Sequence, residues 1–244
     1  MIVKETTLKK TWHGLPTPIR GAFHALESRL GSRPRFVIVS TARAGSTYIA
    51  KLLTEAGIPC AHEGFFTPSG FHRRFFYRGD SSFVAVPYLE NNPGLTTGPI
   101  LHQVRHPLDV INSLSGIGFF EFSKTKSPFR RFVRAHFSLT GDILIDYMRW
   151  WVEWNLRCQA LACKTIRLED IGERQAPEAA AEHLEDVFKI LAQRPKDNWK
   201  VVAESLRGQK VNSRVRNNLT LDVFPDGRAK RELIELGREY GYNL

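Results

Sequence analysis

Apolar and polar positions change period several times along the chain, and each change marks an element. Arg35 to Ser40 (R-F-V-I-V-S) is a short apolar run rich in β-branched residues, the pattern of a buried strand. From Ser46 to Ala56 the period becomes helical. Ile49, Leu52, Leu53 and Ala56 fall on one apolar face, and Gly57 is a natural stop. Further strands are predicted at 59–62, 82–86, 99–104 and 163–168. Helices are predicted at 107–115, 141–162, 177–193 and 227–240. Pro107 suits a first helical position, where its missing N–H costs nothing. In the long helix, Tyr147, Trp151, Trp154, Cys158 and Leu161 share a face; in the next, Leu184, Val187, Phe188 and Leu191 do. Residues 116–128 read as a loop, and a short helical stretch, Ile19 to Leu30, lies in a basic, irregular leader.

Strands alternating with helices predict an α/β fold: a three-layer sandwich with a central parallel sheet flanked by helices. Residues 1–33 are assigned to an N-terminal extension and 34–244 to a single domain. Ligands of such sheets sit at the carboxyl ends of the strands.

Composition narrows this picture without changing it. The 244 residues suffice for one sizeable core. No apolar run approaches the ~20 residues that span a bilayer, so no transmembrane segment is expected. Met1 to Lys10 has no apolar signal-type core. The cysteines, Cys60, Cys158 and Cys163, are odd in number and form no C-x-x-C pair. That argues against a disulfide framework and a metal site, and predicts a cytoplasmic setting. The net charge of +10 points to an anionic partner, which nucleic acid, a membrane surface, a phosphorylated cofactor or an acidic substrate would each satisfy.

The chemistry concentrates after the first strand, in Ser40-Thr41-Ala42-Arg43-Ala44-Gly45-Ser46-Thr47, with a helix following at once. A helix N-terminus presents N–H groups with no internal partner and the positive end of the helix dipole. Gly45 permits close backbone approach to an anion, Arg43 adds a planar fork of charged donors, and Ser46 and Thr47 add hydroxyls. No lysine precedes the Ser-Thr pair, so this is not the Walker A pattern of Mg²⁺-dependent NTPases. A second candidate, R-H-P-L-D-V-I-N-S, follows the strand at 99–104. Arg105 leaves the strand end, and Ser113 returns two helical turns later.

With these residues assembled, the chain resembles the sulfotransferases that use 3′-phosphoadenosine 5′-phosphosulfate (PAPS), whose architecture is P-loop-like. S-T-A-R-A-G-S-T-Y resembles their 5′-phosphosulfate loop, with Ala42 in place of the usual proline and Ala44 in place of the commoner serine. The resemblance implies that Arg43, Ala44, Gly45, Ser46 and Thr47 bind the phosphosulfate, and that Tyr48 stacks on adenine. It implies that Arg105 and Ser113 bind the 3′-phosphate, and that Arg207, Lys210 and Arg214, in a late basic stretch, help cover it. The stretches W-V-E-W-N around Asn155 and R-L-E-D-I at 167–171, and the terminal Gly241-Tyr242, also resemble the family and are read as structural.

Sulfuryl transfer needs neutralisation of the leaving phosphate and a base for the acceptor proton. Arg43 is expected to do the first, without a metal. By resemblance Glu63, at the end of the second strand, is the base, with His62 as competitor and His102 and His106 as further candidates. Phenylalanines interleaved with arginines and lysines at 65–78 and 116–137 are expected to shape the acceptor pocket. The resemblance implies an acceptor hydroxyl or amine on a small molecule, glycan or lipid, which the sequence does not narrow further, and no specific nucleic acid partner is expected. Two other functions compete: a P-loop kinase-like ATP-dependent phosphotransferase and a non-catalytic polyanion-binding protein.

Overall fold

The computed structural model describes residues 26–27, 29–121, 127–172, 175–207 and 217–244. Five strands, β1 (Phe36–Ser40), β2 (Cys60–His62), β5 (Gly79–Ser82), β6 (Ile100–Val104) and β7 (Lys164–Arg167), form one sheet in the order β2-β5-β1-β6-β7. Every pairing within it is parallel. A small antiparallel hairpin, β3 (Phe66–Thr67) with β4 (Gly70–Phe71), stands apart.

The alternation of side chains along β1 divides the core into two layers. Phe36 and Ile38 face α1 (Ser46–Glu55), α7 (Pro177–Ile190) and α8 (Trp199–Leu206), together with Leu53, Phe188 and Trp199. Val37 and Val39 face α2 (Ala85–Asn91), α3 (Pro107–Ser115), α4 (Pro128–His136), α5 (Ile143–Leu161) and α9 (Arg228–Glu239). The second layer is built on tryptophan. Trp150, Trp151 and Trp154 are fully buried on α5, and the Trp150 and Trp154 rings stack at 4.2 Å. Each such aromatic pair adds about 0.5–1.5 kcal/mol beyond the area it buries. A short α6 (Leu168–Ile171) follows β7 directly.

The sequence places the third strand at 82–86, whereas β5 runs over Gly79–Ser82 and α2 begins at Ala85. Val84, Ala85 and Val86 are apolar because the start of α2 is buried, which imitates a strand. The true strand is Gly-Asp-Ser-Ser and fully buried, so hydropathy does not report it. Gly79 is required there: a Cβ would lie 2.1 Å from the Phe36 ring. Within the expected 116–128 loop, turns run to Phe120 and α4 begins at Pro128. Helix α8 carried no assignment in the sequence.

The strand order sets where a ligand can sit. From β1 the chain moves through α1 toward β2, whereas from β6 it moves through α3, α4 and α5 toward β7. Connections therefore diverge between β1 and β6, which is the crevice where open parallel sheets bind ligands.

Candidate active site

Both candidate loops open into that crevice, and they are joined. Arg43 Nε donates to Ser113 Oγ at 2.8 Å across 70 residues of sequence. Arg105 Nη1 donates to the Arg43 carbonyl at 3.2 Å, and Gln103 Nε2 donates to the Ala44 carbonyl at 2.6 Å. In a trans peptide the N–H opposes the C=O. Gln103 therefore leaves the Gly45 N–H pointing away from itself.

Two residues of this loop hold left-handed backbone, Arg43 at φ 69° and Gly45 at φ 97°. For a residue with a side chain that conformation costs about 1–3 kcal/mol. Hydrogen bonds to a charged partner return about 1.5–3 kcal/mol each, so Ser113 and Arg105 suffice to hold Arg43 there. Gly45 is the N-cap of α1, which has no side-chain cap and no acidic residue in its first turn to offset the dipole's positive end.

The second motif is braced from beneath. Trp151 Nε1 donates to the Arg105 carbonyl at 3.1 Å. Glu169 accepts the His106 backbone N–H and the Tyr242 hydroxyl, both at 2.9 Å. Asp170 holds Arg167, whose Nη1 reaches the Gly241 carbonyl at 3.0 Å. Thus the R-L-E-D-I and Gly-Tyr stretches clamp the ends of β6 and β7. Arg105 also meets Asp109 at a loose 3.5 Å.

The donor set suits an anion. Two half-buried arginines, three hydroxyls at Ser46, Thr47 and Ser113, and the α1 terminus converge, with Asp109 paired loosely to Arg105. Tyr48 packs against the core layer beneath α1. Arg207 is tied to Glu204 and to the Gln175 carbonyl at the end of α8, while Lys210 and Arg214 lie outside the described residues. Asn112, which the sequence did not single out, pins the returning chain beside Ser113. It accepts from Leu219 N at 2.6 Å and donates to the Leu219 carbonyl at 3.0 Å. A lone asparagine on a helix carries no pattern that would have found it.

At the end of β2 the two candidate bases have opposite environments. His62 Nε2 lies 3.0 Å from Ser46 Oγ and 3.1 Å from Thr47 Oγ1, so this ring braces the loop hydroxyls. Desolvation in the cleft, and then the positive charge of Arg43, lower its pKa to about 4 even though the residue keeps an exposed edge. Glu63 has left-handed backbone, φ 54°. Burial, and then the Asp80 carboxylate, push its pKa up to about 8. His102 is fully buried between Thr165 and Asn155, a core contact beyond reach of substrate.

The aromatic stretches divide. Phe65, Phe66, Phe119 and Phe120 belong to the core rather than to a pocket wall, whereas Phe75 and Phe76 are exposed. A shallow groove of about 500 Å³ between α7 and α8, lined by Phe188, Gln193 and Trp199, sits at the sheet's amino edge, away from these loops. No helix among the described residues is long and apolar enough to cross a membrane. None of the His, Cys, Asp and Glu groups among the described residues is arranged to hold a metal.

No family model and no curated protein matches the chain. Among solved structures, the sulfotransferase domain from the curacin biosynthetic pathway aligns with 88% of this chain and 99% of that chain, at a TM-score of 0.50 and 13% identity. The chain has a sulfotransferase-type fold. At that identity the likeness is one of fold alone, so the chemistry of this site rests on its own residues.

Within the first loop, Gly45 leaves little room for a side chain. A Cβ there would sit 2.6 Å from Leu168 Cδ2 and 3.2 Å from Gln103 Nε2, on backbone at φ 97°. Gly45→Ala is expected to destabilise the chain by about 1–2 kcal/mol and to lower the melting temperature in a thermal unfolding scan.

Proposed function

We propose that the chain is a sulfotransferase that takes PAPS as donor and a hydroxyl- or amine-bearing acceptor, with Glu63 as the base. The observation that carries this is the Arg43–Ser113 hydrogen bond, supported by Arg105 on the Arg43 carbonyl. It makes one cationic site of two loops that a single phosphate would not require. PAPS, when bound, supplies a sulfuryl group on a phosphate leaving group.

Arg43, with the N–H groups at the start of α1, binds the 5′ anion and offsets charge that develops there. Arg105 and Ser113 bind the 3′-phosphate at the start and the last turn of α3. Ser46 and Thr47 add hydroxyl donors, oriented by His62. The late basic residues Arg207, Lys210 and Arg214, with Tyr48, are proposed to enclose the nucleotide. Glu63 takes the acceptor proton on its carboxylate. A base must be unprotonated to act, so the raised pKa of Glu63 confines its action to the alkaline side. No metal is assigned a part.

The absent Walker lysine weighs against an ATP-dependent phosphotransferase. Adenosine 3′,5′-bisphosphate is expected to raise the melting temperature, since a ligand of the native state must stabilise it, while ATP with Mg²⁺ gives little shift. A shift with ATP–Mg²⁺ alone would overturn the proposal.

Release of the bisphosphate from PAPS, followed with a panel of hydroxyl and amine acceptors, tests the base. Turnover is expected to rise with pH and level off above about 8, the pKa of Glu63. Glu63→Gln is expected to lower it at least ~100-fold with bisphosphate binding retained. A profile already flat above pH 5 would point instead to His62, whose pKa is about 4.

A further inference from the structure

Asp80 is fully buried on β5, between β2 and β1, and no step above uses it. Its Oδ1 accepts from Gly64 N at 3.1 Å, and its Oδ2 accepts from Phe65 N and Phe66 N, both at 3.0 Å. These three N–H groups are consecutive and begin immediately after Glu63. The turn is gripped from its other side by Arg74, whose Nε donates to the Gly64 carbonyl at 2.7 Å. Arg74 is itself held by buried Glu27 at 2.8 Å, and Glu27 also accepts the Phe75 N–H at 3.1 Å. Glu63 N donates to the Ser81 carbonyl at 3.3 Å, so both neighbours along β5 act on this one turn.

We propose that Asp80 is a positioning residue for Glu63: by gathering three successive N–H groups it holds the left-handed turn that presents the Glu63 carboxyl. This deepens, and rests on, the assignment of Glu63 as the base. The conformation supports it. Glutamate has no intrinsic preference for φ 54°, at a cost of about 1–3 kcal/mol, and three hydrogen bonds to a carboxylate outweigh that cost.

Asp80 acts through charge as well. Burial raises its own pKa to about 6, against the lowering influence of the three N–H groups and Arg74. Above that pH its negative charge bears on Glu63. The other charged or titratable groups set against this pair are Arg74, from the segment after the hairpin, and the Cys60 thiol on β2, which burial and Asp80 push upward. Asp80 therefore bears on Glu63 twice, through the turn it caps and through its charge.

The test is carboxyl ¹³C NMR on chain labelled at glutamate, with the Glu63 signal identified by its loss in Glu63→Gln. In Asp80→Asn the Glu63 midpoint is expected to fall by about one pH unit or more, and the turnover profile to move with it. An unmoved midpoint in the folded variant would overturn the proposal. A moved midpoint alongside normal turnover in Glu63→Gln would uphold Asp80's role and remove Glu63 as base. Should Asp80→Asn fail to fold, amide exchange on the unaltered chain decides. Protection of the Gly64, Phe65 and Phe66 amides is expected to drop as pH falls below about 6, the pKa of Asp80, while the β1 ladder keeps its protection. Constant protection of those three amides would refute it.

Discussion

The hydrogen bond from Arg43 to Ser113 is the contact on which the rest of the site depends. It spans the boundary between β1 and β6, the place where the chain's connections diverge. Arg43 sits in left-handed backbone, at a cost that its bonds to Ser113 and from Arg105 can meet. Those bonds require Arg105 to leave β6 at the right place, and the buried Trp151 sees to that through the Arg105 carbonyl. Glu169 and Tyr242 steady the next peptide. The tryptophan layer and the C-terminal clamp therefore serve the geometry of two loops, as well as the stability of the core.

A second constraint operates at the end of β2, where burial acts in opposite directions on neighbouring groups. Desolvation disfavours the charged form of each. It leaves His62 neutral and engaged with Ser46 and Thr47, and it leaves Glu63 protonated at neutral pH. His62 is thereby suited to brace the anion loop, whereas Glu63, the proposed base, becomes able to accept a proton only on the alkaline side. The paired shifts separate the two roles more sharply than either residue type does, since histidine and glutamate are both plausible bases on chemistry alone.

Much of the architecture was legible from hydrophobic period. The β1 run, the α1 face and the tryptophan spacing of α5 all report burial that water would penalise. Strand β5 was misplaced because its buried residues are Gly, Asp, Ser and Ser, chosen for close packing against Phe36 and for hydrogen bonding rather than for transfer from water. The two loops were visible as chemistry, Arg43 with Gly45 and Arg105 with Ser113. Their joining was not, because contact across 70 residues is a property of sheet order. Asn112 and Asp80 escaped notice for the same reason: each acts on backbone groups, and a backbone partner leaves no mark on sequence. Among the phenylalanines of the basic–aromatic stretches, Phe65, Phe66, Phe119, Phe120, Phe132 and Phe137 fill the core rather than a pocket wall, because interleaved charge does not tell a buried ring from an exposed one.

In the proposed function, Arg43 and Ser113 act as one unit in binding a nucleotide phosphorylated at the 3′ and 5′ positions of its ribose. Calorimetric titration of adenosine 3′,5′-bisphosphate into the chain, Arg43→Ala, Ser113→Ala and the double variant tests it most directly. Each substitution is expected to weaken binding, with the two effects coupled by at least about 0.5 kcal/mol. Additive losses, or affinity unchanged by Ser113→Ala, would contradict it.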